Sequence, residues 1–272
     1  MLFRIAGAPS AVDRTIDEAI LASFLGDLPQ RTVEELLVNS SVIEVPARSF
    51  LLHPGDARLW LLVEGLVRIS IHASDGRQLV VHHAVPGETV GLGSIFATDG
   101  SEGAQALGEC RLLPLDWERV RTMTQHDPAM ATAVATEVTR RLRSELEATA
   151  LGNHRSVRAR IAGYALDLIG RMPGEMSTLP LSQQELADAV GASREAVARS
   201  LSALRSLGAI ATGARRLHVL RPDLLREELG PRRGPTIELA HLRRRRRARE
   251  LAGKGVVLAG ELTAAAALKA RA

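Results

Sequence analysis

The period of apolar positions changes several times along the chain, and each change marks a different kind of element. From Val42 to about Leu115, short apolar runs alternate with polar residues and are cut by glycine turns, as in LWLLVEGLVRISIH (Leu59–His72) and QLVVHHAVPGETVG (Gln78–Gly91). Many short strands with turn signals at Pro54-Gly55, Asp75-Gly76 and Pro86-Gly87 predict a β-barrel, sandwich or roll. Asp75-Gly76 between two such runs is a hairpin signal. Ahead of them, Pro29–Asn39 has a helical pattern with its proline suited to the first turn. After Pro128 the spacing lengthens. Met130, Val134, Val138, Leu142 and Leu146 recur every four residues and predict a long helix over Ala129–Ala150. That stripe drifts around the helix, so it can face both a partner helix and its own β-domain. His154–Gly170 predicts a further helix, and Pro173-Gly174 a loop.

The densest pattern lies at Leu181–Leu207, LSQQELADAVGASREAVARSLSALRSL. Ser182 with Glu185 three residues on is a capping box, in which serine oxygen and glutamate carboxylate satisfy free amides reciprocally. Leu186, Ala187 and Val190 form an apolar stripe, and Gly191 supplies the positive φ that ends a helix. Ser193 is a fitting N-cap for a second helix, whose Val197, Leu201, Leu204 and Leu207 face inward. Two short helices joined by a tight turn are thereby predicted, with Arg194, Glu195, Ala198 and Arg199 outward at the start of the second. Arginine pairs with guanine N7 and O6, and a carboxylate accepts from cytosine N4. Glutamate beside two arginines suits base reading, since phosphates repel it; the same mixture also suits a plain solvated face. The caps and the turn favour the DNA reading. Ala209–Leu220 then predicts a hairpin, a wing whose Arg215 and Arg216 can touch phosphate.

Composition narrows the class. With 272 residues the chain has room for more than one domain. A single cysteine, Cys110, excludes an intrachain disulfide framework and a cysteine-held metal cluster within one subunit. No apolar run approaches the roughly 20 residues a membrane span needs, and MLFRIAGAPSAVDRT lacks a signal-peptide core, so the expected location is cytoplasmic without a membrane partner. The net charge of +4 hides an asymmetry. Residues 1–126 carry ten arginines against sixteen acids, net −6; residues 155–221 carry ten against five, net +5; residues 231–272 reach +8. An acidic front with a basic rear suits a chain whose C-terminal half meets a polyanion. No nucleophile–base constellation, catalytic carboxylate pair, metal-ligand cluster or phosphate loop with lysine stands out, so an enzyme is not expected and no catalytic or metal residue is assigned.

SREAVAR at Ser193–Arg199, with LSQQELADAVGA before it and the wing after it, resembles the Crp/Fnr family of bacterial transcription regulators. RSFLLHPGD (Arg48–Asp56), LLVEGLVRIS (Leu61–Ser70) and PGETVGLGSIF (Pro86–Phe96) resemble the same family's cyclic-nucleotide-binding β-roll, so the resemblance spans roughly residues 25–225. It implies an α+β fold: an N-terminal cyclic-nucleotide-binding-type β-roll (1–126), a long dimerisation helix and hinge (127–153) and a C-terminal winged helix-turn-helix (154–229); the basic tail (230–272) goes beyond the resemblance. It implies base reading of a TGTGA-like site by Arg194, Glu195 and Arg199. Phosphate contacts fall to Ser182, Gln184, Ser193 and Arg215, joined by Arg216 from the wing. It also implies a homodimer through Met130, Val134, Val138, Leu142 and Leu146, with double-stranded DNA, RNA polymerase and a small-molecule effector as partners.

The match breaks where ligand chemistry would lie. The family's ribose-binding glutamate falls on Leu92, and its Arg-Ser pair for the cyclic phosphate falls on Glu102 and Gly103. No arginine occurs between Arg77 and Arg111. Cyclic AMP is therefore not expected in the usual mode, and the effector residues stay unassigned. Amides of Gly91 and Gly93 can still hold an anion weakly. His82 and His83, adjacent on one strand, point to opposite faces; one packed and one solvated is the simplest expectation, and haem ligation by one of them is the alternative cofactor. Cys110 suits a buried, inert thiol better than a redox switch. The run Arg243–Arg247 suits either a DNA-binding arm acting by counterion release or an appendage.

Overall fold

The computed structural model describes residues 11–73, 78–97, 100–152, 155–172 and 177–230. The N-terminal part opens with helix α1 (Ala11–Ala22), a 3-10 turn (Phe24–Asp27) and α2 (Gln30–Leu37). Eight strands follow: β1 (Ile43–Val45), β2 (Phe50–Leu52), β3 (Leu59–Glu64), β4 (Val67–His72), β5 (Gln78–Ala84), β6 (Thr89–Val90), β7 (Glu102–Ala106) and β8 (Cys110–Leu115). They form two antiparallel sheets, ordered β1-β8-β3-β6 and β2-β7-β4-β5. The predicted hairpin is the β4–β5 pair, registered from Val67↔Ala84 to His72↔Gln78; its Asp75-Gly76 turn lies outside the described residues.

Burial explains why β3 is apolar at almost every position. Trp60 and Leu62 point between the sheets with Leu52, Val67, Ile69, Ala84, Ala104 and Leu112. Leu59, Leu61 and Val63 point the other way, into a second core built with Ile20, Phe24, Leu36 and Val120. Helices cover the outer face of one sheet, so alternation gives way to a continuous apolar run.

Helices α3 (Trp117–His126) and α4 (Pro128–Gly152) lead out of the roll. Asp116 caps α3 by accepting from the Arg119 amide. The α4 stripe divides. Met130 and Val134 are buried in their own subunit's N-terminal core, whereas Val138, Leu142 and Leu146 are 49%, 57% and 59% exposed. The assignment of Met130 and Val134 to a dimer face is thus corrected: a helix turning 100° per residue carries a four-residue repeat slowly off the roll, and only its C-terminal half clears it.

The C-terminal part comprises α5 (Val157–Arg171), β9 (Thr178–Leu179), α6 (Gln183–Val190), α7 (Arg194–Ser206), β10 (Ile210–Gly213), β11 (Arg216–Val219) and α8 (Pro222–Glu228). Helix α5 begins at Val157 because Ser156 caps it, its hydroxyl accepting from the Ala159 amide; the expected start at His154 falls on a residue outside those described. The wing pairs Ile210↔Val219 through Gly213↔Arg216, and β9 adds a third strand. Leu168, Leu186, Val197, Leu201, Leu204, Leu217 and Leu225 share one core, which also takes in Leu66, Val85 and Leu107 from the β-roll. The winged domain therefore docks directly on the roll. Pro173-Gly174 and the basic tail 231–272 lie outside the described residues.

Candidate nucleic-acid interface and sensor site

Local chemistry sets the helix-turn-helix. The Ser182 hydroxyl accepts from the Glu185 amide at 3.2 Å, and the Glu185 carboxylate accepts in return from the Ser182 amide. Gly191, at φ 59°, closes α6, where an L side chain would be strained. Arg160 donates to the Val190 carbonyl at 2.6 Å and secures the same turn from α5. Ser193 caps α7 by accepting from the Ala196 amide. Val197, Leu201 and Leu204 then bury one face of α7, which leaves Arg194, Glu195 and Arg199 exposed on the other. The three base-reading candidates therefore share the solvent side of the first two turns. The Glu195 carboxyl sits below its ordinary range. An amide of its own residue holds it first, then the Ser193 hydroxyl, with Arg194 and Arg199 adding favourable charge.

The phosphate candidates ring this helix. Gln184 is exposed and donates to Asp188 at 2.8 Å. Arg216 is exposed in the wing. Arg215 occupies the wing turn at φ 55° and pairs with the buried Glu185 carboxylate. It thus fastens the wing to α6, a role that the sequence pattern did not reveal, and any phosphate contact by Arg215 competes with that ion pair.

The sensor site has the opposite character. Leu92 is 2% exposed and packs in the helix-covered core. Glu102 stands at the head of β7, whose alternate residues Ala104 and Ala106 line the interior of the roll. Arg141 and the backbone amides of Gly91 and Ser94 favour its charged form. Burial outweighs these and leaves its pKa raised. A methyl group on Gly93 would lie 2.2 Å from Glu102 Oε2, which shows how closely the carboxylate is applied to the turn. On the neighbouring Gly103, a Cβ would meet His72 Nε2 at 2.8 Å.

Beside this turn lies a largely buried ionic cluster that sequence reading missed, because its members are scattered over β5, β6 and the loop between them, α4 and α5. Glu88 accepts from Arg171 of α5 at 3.0 Å and pairs with His82 Nε2 at 2.7 Å. His82 Nδ1 lies 2.9 Å from Glu145 of α4. Arg171 also donates to the His83 carbonyl and to Asp167. Arg141 binds the Thr89 carbonyl and hydroxyl at 2.8 and 2.6 Å and shares the buried Glu137 with Arg140. Roll, long helix and winged domain thus meet at Glu88 and Thr89. Burial alone would raise the Glu88 pKa, but Arg171 and His82 hold it well below the carboxylate range. For His82, burial opposes protonation, yet Glu88 and Glu145 prevail and its pKa is raised. His83 is depressed to about 3, first by burial and then by His82 and Arg171; its Nδ1 hydrogen-bonds with the Tyr164 hydroxyl at 2.5 Å. The expectation that one histidine is solvated is corrected, since the Glu88 and Glu145 carboxylates draw the His82 ring inward and the Tyr164 hydroxyl that of His83. Both ring nitrogens of His82 are engaged, so it offers haem no free lone pair. Cys110 is buried, and burial raises its thiol pKa, which keeps it a poor nucleophile.

A β-roll joined by a long helix to a winged helix-turn-helix defines a DNA-binding regulator with an N-terminal domain of the cyclic-nucleotide-binding type. Residues 42–127 match the cyclic nucleotide-binding domain, and residues 159–228 match the Crp-like helix-turn-helix domain. The transcriptional regulator LdrP of Thermus thermophilus is 31% identical over 176 residues, 63% of this chain and 87% of that protein. The cAMP-activated global transcriptional regulator Vfr of Pseudomonas aeruginosa is 26% identical over 190 residues, 65% of this chain and 88% of that protein. Among solved structures, TTHB099, a CRP-family transcriptional regulator from Thermus thermophilus, aligns with TM-score 0.57 at 28% identity, over 70% of this chain and 97% of that one. The chain belongs to the Crp/Fnr family of DNA-binding transcription regulators. No helix among the described residues is long and apolar enough to cross a membrane.

Proposed function

We propose that the protein is a homodimeric regulator that reads a TGTGA-like inverted repeat and does so without cyclic AMP. The observation that carries this reading is the solvent-facing triplet Arg194, Glu195 and Arg199 on the first turns of α7. A recognition helix presents those turns to the major groove. The two arginines pair with guanines, and Glu195 accepts from a cytosine amino group. Gln184, Ser182, Ser193 and Arg216 position the helix on phosphates, and Arg215 joins them if it leaves Glu185.

The exposed side chains Val138, Leu142 and Leu146 pack on their copies in a second subunit. A two-fold axis along α4 then places two recognition helices about one helical turn, 34 Å, apart. The functional division follows as sensor roll 1–126, dimer helix 127–153 and DNA-binding domain 154–229, with RNA polymerase as the downstream partner. Relatives such as Vfr carry cAMP activation in their names. Here a carboxylate, Glu102, takes the place of the phosphate-binding arginine, and a buried leucine that of the ribose-binding glutamate, so a cyclic phosphate meets repulsion in place of a cation. An effector-independent DNA-binding protein fits these residues better than a haem sensor, because His82 has both nitrogens engaged and His83, whose Nε2 is unpartnered, is only 3% exposed.

Sedimentation equilibrium, alone and with a TGTGA-N6-TCACA duplex, tests the reading. A dimer that binds one duplex, and that loses affinity when the guanines of one half-site are changed, supports it. A monomer, or binding indifferent to those guanines, refutes it.

A further inference from the structure

The Glu102 carboxylate lies against the glycine-rich turn at the place where relatives in this family would hold a phosphate, and this turn has a particular position in the fold. The residues immediately before it, Glu88 and Thr89, anchor Arg171 of the winged domain and Arg141 of the long helix. Whatever anion sits on the Gly91–Ser94 amides therefore fixes the turn that holds both other parts of the molecule.

We propose that Glu102 is a built-in anion: its carboxylate occupies the backbone cradle of Gly91–Ser94 in place of a ligand phosphate and holds the sensor in its DNA-binding arrangement. The inference rests on the cAMP-independent reading above and supplies its physical cause. A turn of successive N–H groups is an anion receptor. Two amides donating to a carboxylate are charge-assisted bonds, stronger than neutral ones. Gly93 lies beneath the carboxylate, and a side chain there would displace Oε2 from the turn. The tether is intramolecular, so the cradle is filled in the absence of any ligand. Cyclic AMP then competes with a carboxylate already in place.

Amide NMR of the full-length protein tests placement and consequence separately. If the carboxylate fills the cradle, the Gly91 and Ser94 amide signals move with one pH midpoint, above the ordinary glutamate value, and Glu102→Gln abolishes that movement. If Glu102 stands free of the turn, those amides do not titrate, and the proposal is overturned even when the protein binds DNA. For the consequence, Glu102→Ala should weaken duplex binding about tenfold or more, a loss of the size expected for charge-assisted bonds, and millimolar acetate should restore part of it. Unchanged DNA affinity in both variants would refute the proposed control. If the wild-type protein ignores the TGTGA duplex, the DNA-reading proposal fails, while the amide titration still decides where Glu102 lies.

Discussion

The helix-turn-helix and the sensor site treat polar groups in contrary ways. On α7, Arg194, Glu195 and Arg199 stand in solvent with their base-facing chemistry on offer. Where the roll meets α4 and α5, Glu88, Arg171 and Glu137 are buried, His82 and Glu102 are partly buried, and Glu88, His82, Arg171 and Glu137 pair inside the protein. A surface that reads a partner keeps its donors and acceptors available. A sensor whose polar groups pair internally has little left for a charged ligand to gain, since burying an unpaired charge costs free energy. The comparison teaches that one chain can carry an open polar face on its helix-turn-helix and an internally paired polar cluster beside its roll; under the proposal above, the first reads DNA and the second leaves no place for a charged ligand.

The largest effect should come from the buried junction. Arg171→Ala leaves Glu88 without its main cation and is expected to lower stability by about 3–5 kcal/mol, with the double change Arg171→Met, Glu88→Gln recovering part of it. Urea unfolding measures both; a loss below about 1 kcal/mol would mean that the domains do not depend on this pair. Next in size, Arg194→Ala or Arg199→Ala should each cost about 1–3 kcal/mol on the specific duplex and little on a scrambled one. Equal losses on both duplexes would reduce these arginines to phosphate contacts.

Leu142→Glu with Leu146→Glu should shift the protein from dimer to monomer in sedimentation without unfolding it, since both side chains are more than half exposed. A persistent dimer would move the interface elsewhere. A smaller and pH-dependent effect is expected at His82. Its folded pKa is raised, so its contribution is full below the unfolded value near 6.5 and fades as pH rises through the folded value. The stability difference between wild type and His82→Gln should therefore be larger at pH 6 than at pH 8.5; a difference independent of pH would contradict the Glu88–His82–Glu145 geometry.

Much of the reader was legible because its signals are local. Ser182, Glu185, Gly191 and Ser193 fix the helix ends within a dozen residues, and the apolar spacing of Val197, Leu201 and Leu204 fixes which face is exposed. The strands of the roll were visible from alternation and turn residues, although the continuous apolar run of β3 needed the covering helices to explain it. The junction was not legible. Glu88, Arg171 and His82 look ordinary in sequence, and only tertiary contact across more than eighty positions makes them a unit. The α4 stripe was half legible: its period was clear, but where the helix leaves the roll depends on packing, which sent Met130 and Val134 inward. Glu102 was noticed as a charge of the wrong sign, whereas its contact with the Gly91 and Ser94 amides depends on the fold.

The most direct test of the account is fluorescence anisotropy of a TGTGA-N6-TCACA duplex at physiological salt, titrated with protein in the absence and presence of millimolar cyclic AMP. The account predicts one Kd under both conditions, about a thousandfold tighter than for a scrambled duplex. Specific binding that appears only with the nucleotide would contradict it.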